Sequence, residues 1–268
     1  MSKWFGTACA LIAAQPTVAG ALMPAVPAPS VVRATPALWE VRDADTVIYL
    51  FGTFHSLDAR TVWFDSQVRD AFDRSEQLVL ETVVPTNPQG LRPARAAATV
   101  VENGVRRPAQ FMIQTRSAVD QNRAAGLTVD RGVDAVLRRV AEERGKRVGG
   151  LELFADQLST LAGIKATSPT LSSTRTAIPA ITAGDLLNAW TTGNTGAMST
   201  MLSGFEAKAP DAYRTLIADR NARWGQWVAD RLEQPGTVFV AVGSGHLAGK
   251  DSMQEWLLAR GIEATRVG

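Results

Sequence analysis

Two histidines are the residues of this chain best suited to acid–base or metal chemistry, and the sequence contains no others. His55 ends the motif Gly-Thr-Phe-His and His246 ends Gly-Ser-Gly-His, so each stands three residues after a glycine. Each motif follows an apolar run typical of a buried strand, at 47–51 and 238–242. Imidazole binds metals and acts as a general base near neutral pH. Because open α/β sheets place their sites at strand ends, we expect both histidines in one active site. A histidine bound to a backbone carbonyl is the structural alternative.

Carboxylates end two further apolar runs. Glu81 follows Leu-Val-Leu at 78–80, and Glu152 follows the run at 148–151. A carboxylate at a buried strand end is costly unless it is paired or ligated, so a metal site and a salt bridge to arginine are both open. Two histidines with one or two carboxylates suit Zn, Mn or Fe(II).

A third group, Asp-Arg-Asn at 219–221, lies on the helix predicted before the second histidine motif. Arg220 with Asn221 could hold a carbonyl or carboxylate and stabilise developing negative charge. A solvated charged helix face is the alternative.

Alternating strand and helix patterns predict an α/β fold: a mixed central sheet flanked by helices, with the paired Gly-x-x-His motifs at strand ends. Residues 104–128 show no clear pattern, and 85–93 and 168–182 are predicted loops. The predicted strands are 38–41 and 46–51, which form a hairpin, 78–80, 147–151, 238–242 and 262–267; the predicted helices are 68–72, 94–102, 132–144, 153–164, 185–201, 211–232 and 249–260.

The beginning of the chain differs from the rest. Lys3, an apolar stretch and Ala-Gly-Ala at 19–21 predict a secretory signal peptide over residues 1–21, with an uncleaved anchor as the alternative. Residues 22–36 form a Pro-rich lead-in, and 37–268 a single α/β domain with helical insertions. We therefore expect an exported protein, periplasmic or secreted, with no stable membrane span after signal removal. The only cysteine, Cys9, lies in the signal, so the mature chain has no thiolate for a metal.

The composition of the chain is that of a globular protein and argues against nucleic acid as a partner. Hydrophobic residues make up 46% and charged residues 20% of the chain, which is typical of a globular protein. The net charge of +2, without a basic stripe, argues against nucleic acid.

The order and spacing of these motifs over residues 37–267 resemble the TraB/GumN family, which is similar to the Tiki proteases. The resemblance implies metal-dependent proteolysis, with Mn or Co, at the paired Gly-x-x-His motifs. It implies metal or catalytic roles for His55, Glu81 and His246. It also implies a catalytic contact by Arg220, with Asn221 and Glu152 binding substrate. Asp219 departs from the Glu expected there. The matching stretches are 38–41, 49–55, 78–81, 132–134 with Leu137, 150–152 with Gln157, Arg220-Asn221 with Trp224, and 240–247 with Gly249.

Three functions therefore compete. The first is an exported metal-dependent hydrolase, foremost a peptidase acting on a peptide or protein, in which Mn, Co or Zn polarises the carbonyl and activates water. The second is a metal-free, esterase-like hydrolase that uses the same His/Glu site. The third is a non-catalytic haem- or peptide-binding protein.

Overall fold

A six-stranded mixed sheet forms the centre of the fold. In the computed structural model, which describes residues 30–87, 89, 98–102, 105–108, 110–164 and 183–268, its order is β10-β2-β3-β9-β5-β8. Strands β3, β9, β5 and β8 run parallel, whereas β2 is antiparallel to both β3 and β10. The strands are β1 Val32–Arg33, β2 Leu38–Arg42, β3 Thr46–Thr53, β4 Thr61–Val62, β5 Gln77–Thr82, β6 Thr99–Glu102, β7 Val105–Pro108, β8 Arg147–Glu152, β9 Gly236–Gly243 and β10 Ala264–Arg266.

Helices lie on both faces of this sheet, and two small sheets, β1-β4 and β6-β7, lie outside it. A wide π-helical turn, Arg214–Ala218, joins α7 to α8, and short 3₁₀ turns cover Val129–Arg131 and Ser244–Leu247. The helices are α1 Ser66–Arg74, α2 Gln110–Ala124, α3 Val133–Glu143, α4 Phe154–Gly163, α5 Ala183–Thr191, α6 Thr195–Lys208, α7 Pro210–Tyr213, α8 Asp219–Leu232 and α9 Met253–Leu258.

The alternation of side chains along each strand divides the core into two layers. On β3, Tyr49 and Phe51 pack against α1 and α3, while Ile48 and Leu50 face α8 and α9. Strand β9 is buried on both faces, which explains its continuous apolar run. Each such side chain contributes about 1.5–3 kcal/mol by leaving water, so the two layers hold the strand ends in fixed places.

The predicted fold class is confirmed, and most of the elements agree with it. The hairpin forms as β2 and β3, where the Asp43 carboxylate accepts the backbone N–H groups of Asp45 and Thr46 and closes the turn. The strand predicted at 238–242 is the interior strand β9.

Three predictions of local structure were wrong. The helix predicted over 94–102 is replaced at Thr99–Glu102 by β6, which pairs with β7; residues 94–97 lie outside the described part. The helix predicted over 185–201 breaks at Gly193, whose φ is 61°, and Asn194 then caps α6 by accepting the Ala197 N–H. The helix predicted over 249–260 is confined to α9, because Ser252 caps its first turn.

The predicted signal peptide, residues 1–21, and the loop at 168–182 lie outside the described residues. Within the described part of the chain, no helix is long and apolar enough to cross a membrane.

Candidate active site

Four neighbouring parallel strands bring His55, Glu81, Glu152 and His246 to one edge of the sheet, and helix α8 carries Arg220 and Asn221. The register pairs Thr53 with Gly243 and Thr82 with Glu152, so β3, β9, β5 and β8 end together. Strand β9 comes last in the chain among these four, yet it lies between β3 and β5. Open α/β sheets bind ligands at such a change in strand order.

His55 is held by Asp134, the second residue of α3. Its Nδ1 lies 2.7 Å from Asp134 Oδ2, and the Val133 N–H donates to the Phe54 carbonyl 3.0 Å away. A Cβ atom at Gly132 would collide with the His55 carbonyl, so only glycine allows this approach. Since Nδ1 donates to the carboxylate, Nε2 is the nitrogen left for chemistry.

The pair at His55 is open to solvent and charged. The His55 side chain is 65% exposed and that of Asp134 is 27% exposed. The charge of Asp134 raises the pKa of His55 to about 9. At neutral pH the imidazole is therefore mostly protonated, which suits it to donate a proton, and its neutral fraction grows as the pH approaches 9.

Glu81 is buried beside this pair and keeps its charge. Its Oε1 accepts the Gly243 N–H at 2.6 Å, and its Oε2 accepts from Arg220 at 2.7 Å. Burial alone would raise the pKa of Glu81. The positive charges around it, from Arg220, from His55 and, in acid, from His246, lower the pKa to about 2 instead. A Cβ atom at Gly243 would lie 2.9 Å from Glu81 Oε1 and 3.7 Å from His55 Nε2, so these side chains face one point.

Arg220 bonds to the carboxylates of both Glu81 and Glu152. Its Nη2 donates to Glu81 Oε2 and to Glu152 Oε1, each at 2.7 Å, and its Nε donates to Glu152 Oε2 at 3.3 Å. Its Nη1 donates to the Leu216 carbonyl and faces His246 Nε2, each at 3.2 Å. A guanidinium has five N–H donors, so this network uses all of them. Arg220 therefore neutralises the buried Glu81 and the partly buried Glu152, and it has no donor left for a substrate.

Asn221 fixes the tautomer of His246. Its Nδ2 donates to the Asp251 carbonyl at 2.6 Å, which turns its Oδ1 toward His246 Nδ1, also at 2.6 Å. His246 Nδ1 must then carry the proton, so Nε2 accepts from Arg220. Burial lowers the pKa of His246 to about 4, which keeps this ring neutral. It packs against Trp224 with the ring centres 4.5 Å apart.

A cavity of about 420 Å³ opens beside His55 and Glu81. This size is within the range of small-ligand pockets. Its wall is formed by residues of β5, α3, α4 and the loops beside them: His55, Leu80, Glu81, Thr82, Val84, Val129, Asp134, Ala135, Arg138 and Gln157.

The structure brings all six predicted site residues into one cluster, but it gives them unequal access to a substrate. His55 and Glu81 line the cavity, whereas Arg220, Asn221 and His246 are 6%, 0% and 5% exposed. Direct substrate contact by Asn221 is not supported, because both ends of its amide are already bonded in the interior. Arg220 likewise acts through Glu81 and Glu152.

Sequence reasoning assigned no role in the site to two residues, Asp134 and Gln157, although both belong to the stretches that resemble the family. Besides that match, Asp134 is an acidic residue in the first turn of a helix that begins after a glycine, which is a second signal. Gln157 lies on α4 and donates to Glu81 Oε2 at 3.3 Å, and its match to the family was the sequence signal that could have found it.

The family model for the TraB/PrgY/gumN family matches residues 37–104 and 93–266. The chain belongs to the TraB/PrgY/gumN family. No curated protein and no solved structure matches it significantly. Likeness to the Tiki proteases remains a prediction from the sequence.

The residues of this TraB/PrgY/gumN protein do not fit a metal ion as they are arranged. Among the described residues, no group of three His, Cys, Asp or Glu side chains could hold one. The predicted set was His55, Glu81 and His246. Within it, the Arg220 guanidinium lies 2.7 Å from Glu81 Oε2 and 3.2 Å from His246 Nε2. A second cation there would be repelled, so the geometry does not support the predicted Mn, Co or Zn centre.

Proposed function

We propose that this protein is a hydrolase that cleaves peptide bonds in the cavity beside His55 and Glu81. The observation that supports this is the His55–Asp134 pair at the cavity wall, with its Nε2 directed toward the Glu81 side of the site. A carboxylate that holds one imidazole nitrogen leaves the other to transfer protons to and from a substrate.

In this proposal the cleavage needs one proton acceptor and one proton donor. The neutral form of His55, a minor fraction at neutral pH that grows as the pH approaches 9, takes a proton from the attacking water through Nε2, and the resulting imidazolium gives it to the leaving nitrogen. Glu81 stays ionised at neutral pH because its pKa is about 2, and its carboxylate orients the water and stabilises the imidazolium. Arg220 and Asn221 hold Glu81 and His246 in place.

We also propose that the protein is exported, on the basis of its first 21 residues. A peptide is preferred as substrate because of the family resemblance found in the sequence. The metal-dependent form of this hydrolase stays a competing proposal, which the experiment below decides.

The test is hydrolysis of a peptide library by untagged protein, followed by mass spectrometry. We expect His55→Gln and Asp134→Asn to lower kcat/KM by about 10²-fold or more. The first variant removes the group that transfers the proton, and the second removes the carboxylate that holds Nδ1 and stabilises the imidazolium. Asp130→Asn makes the same charge change on the exposed turn before α3 and should leave the activity unchanged. Equal activity in all three variants would refute the assignment of His55.

A chelator separates the two forms of the proposal. Activity that survives EDTA, in protein shown to be metal-free by elemental analysis, supports catalysis by His55 and Glu81 alone. Activity that is lost with EDTA and restored by Mn, Co or Zn would favour the metal-dependent form. Tight haem absorbance without any peptide cleavage would favour the binding-protein alternative.

A further inference from the structure

The wall of the cavity is largely apolar away from His55. Leu80, Val84, Val129 and Ala135 contribute to it, and Val84 and Val129 are 45% and 48% exposed. A ligand that covers these two half-exposed valines is stabilised by about 25 cal/mol for each Å² of apolar surface removed from water.

Both valines are fixed in position relative to the site. The Arg138 Nη1 donates to the Val84 carbonyl at 2.7 Å and ties that segment to α3. Leu57 and Thr128 exchange backbone hydrogen bonds of 3.2 and 2.9 Å, which pins the turn carrying Val129 to the loop of His55. The apolar wall is therefore formed before any substrate binds, and little ordering is needed on binding.

The charged groups of the wall already have partners among the described residues. His55 is paired with Asp134 and Arg138 with Glu142, at 2.7 and 2.8 Å. Glu81 is paired with Arg220, also at 2.7 Å. A charged side chain entering the cavity would lose hydration without meeting an unpaired opposite charge, and that loss is unfavourable.

We infer that the cavity binds an apolar side chain of the substrate, adjacent to the bond that is cleaved, with Val84 and Val129 determining this specificity. The inference rests on the proposed function, since it names the substrate class of the same site. The protein should therefore cleave peptides with Leu, Val, Met or Phe at this position in preference to peptides with Lys, Arg, Asp or Glu there.

The first experiment measures cleavage of peptides that differ only at this position. We expect the wild type to prefer apolar over charged residues by roughly tenfold or more. Val129→Asp should remove most of that preference and raise cleavage beside Lys and Arg. Val62→Asp is the matched control, because Val62 is 41% exposed but does not line the cavity. Equal cleavage beside apolar and charged residues would overturn the inference while leaving the proposed function intact.

A second measurement needs no turnover. N-acetyl-leucinamide and N-acetyl-lysinamide are titrated separately while the imidazole signals of His55 and His246 are followed by NMR. Leucinamide should shift the His55 signal at roughly tenfold lower concentration than lysinamide, and Val129→Asp should abolish that difference. Equal responses to the two amides would contradict the inference. Selective binding without cleavage of any peptide would instead contradict the proposed function.

Discussion

Replacing Arg220 by Met removes the cation that neutralises the buried Glu81 and the partly buried Glu152. The side chains of Arg220, Glu81 and Glu152 are 7%, 10% and 11% exposed. Met fills much of the same volume but leaves both carboxylates without their positive partner.

Breaking one partner of a buried ion pair costs about 3–5 kcal/mol, because an uncompensated charge stays in the interior. For a domain of this size, 1 kcal/mol shifts the melting temperature by roughly 2–4 °C. We therefore expect Arg220→Met to lower the melting temperature by roughly 6–20 °C at pH 8. Arg60→Met is the matched control. Arg60 contacts Asp58 at the same 2.7 Å but is 52% exposed, so its loss should cost about 1 kcal/mol or less.

The assay is thermal unfolding by circular dichroism between pH 5 and 8. In the wild type, Glu81 has a folded pKa of about 2, lowered from 4.5, so its contribution to stability is constant over this range and is lost only below pH 4.5. In Arg220→Met, burial without the guanidinium raises the pKa of Glu81. The penalty is then present at high pH and is relieved as Glu81 takes up a proton. The difference between wild type and variant should therefore shrink toward pH 5.

Two results would refute this reasoning. The first is a loss below about 1 kcal/mol at pH 8, the range of an exposed pair. The second is a loss that stays the same from pH 8 to pH 5. A third variant tests the cause: adding Glu152→Gln to Arg220→Met should recover part of the lost stability, since it removes one of the two stranded charges.

Three further predictions concern the histidines and their loop. NMR of untagged protein should show His55 titrating near pH 9, and Asp134→Asn should return it toward its ordinary value of 6.5. The same spectra should show no titration of His246 above about pH 4. The folded pKa of His246 lies below its unfolded value of 6.5, so the free energy of unfolding of the wild type should fall by about 3 kcal/mol between pH 6.5 and pH 4. Urea unfolding should show that this fall is absent in His246→Gln. Gly132→Ala should destabilise by roughly 1–3 kcal/mol and displace the His55 NMR signal. Gly163→Ala, which has open space around it, should not destabilise.

The local sequence was enough to predict much of the fold. The apolar runs at 47–51 and 238–242 predict buried strands, and the polar Asp-Ala-Asp between the runs at 38–41 and 46–51 predicts a hairpin turn, because each pattern depends on neighbouring residues alone. The same signals placed His55, Glu81, Glu152 and His246 at strand ends, which the structure brings to one edge of the sheet.

The partners of these residues were decided by the tertiary structure. Asp134 is 79 residues from His55 in the chain, and Arg220 is 139 residues from Glu81, yet both pairs are in hydrogen-bond contact. No local pattern specifies such pairings, since they depend on β9 entering the sheet between β3 and β5.

The two histidines show most clearly which properties the sequence determines and which the tertiary structure determines. Their sequence settings are alike, a strand followed by Gly-x-x-His, and the sequence alone determined that both lie at the sheet edge. The tertiary structure shifts their pKa values in opposite directions. Asp134 at the open cavity wall raises the pKa of His55, whereas burial against Trp224 lowers that of His246. The physical reason is that solvent exposure and a neighbouring charge set an imidazole's protonation, and both come from residues distant in the chain.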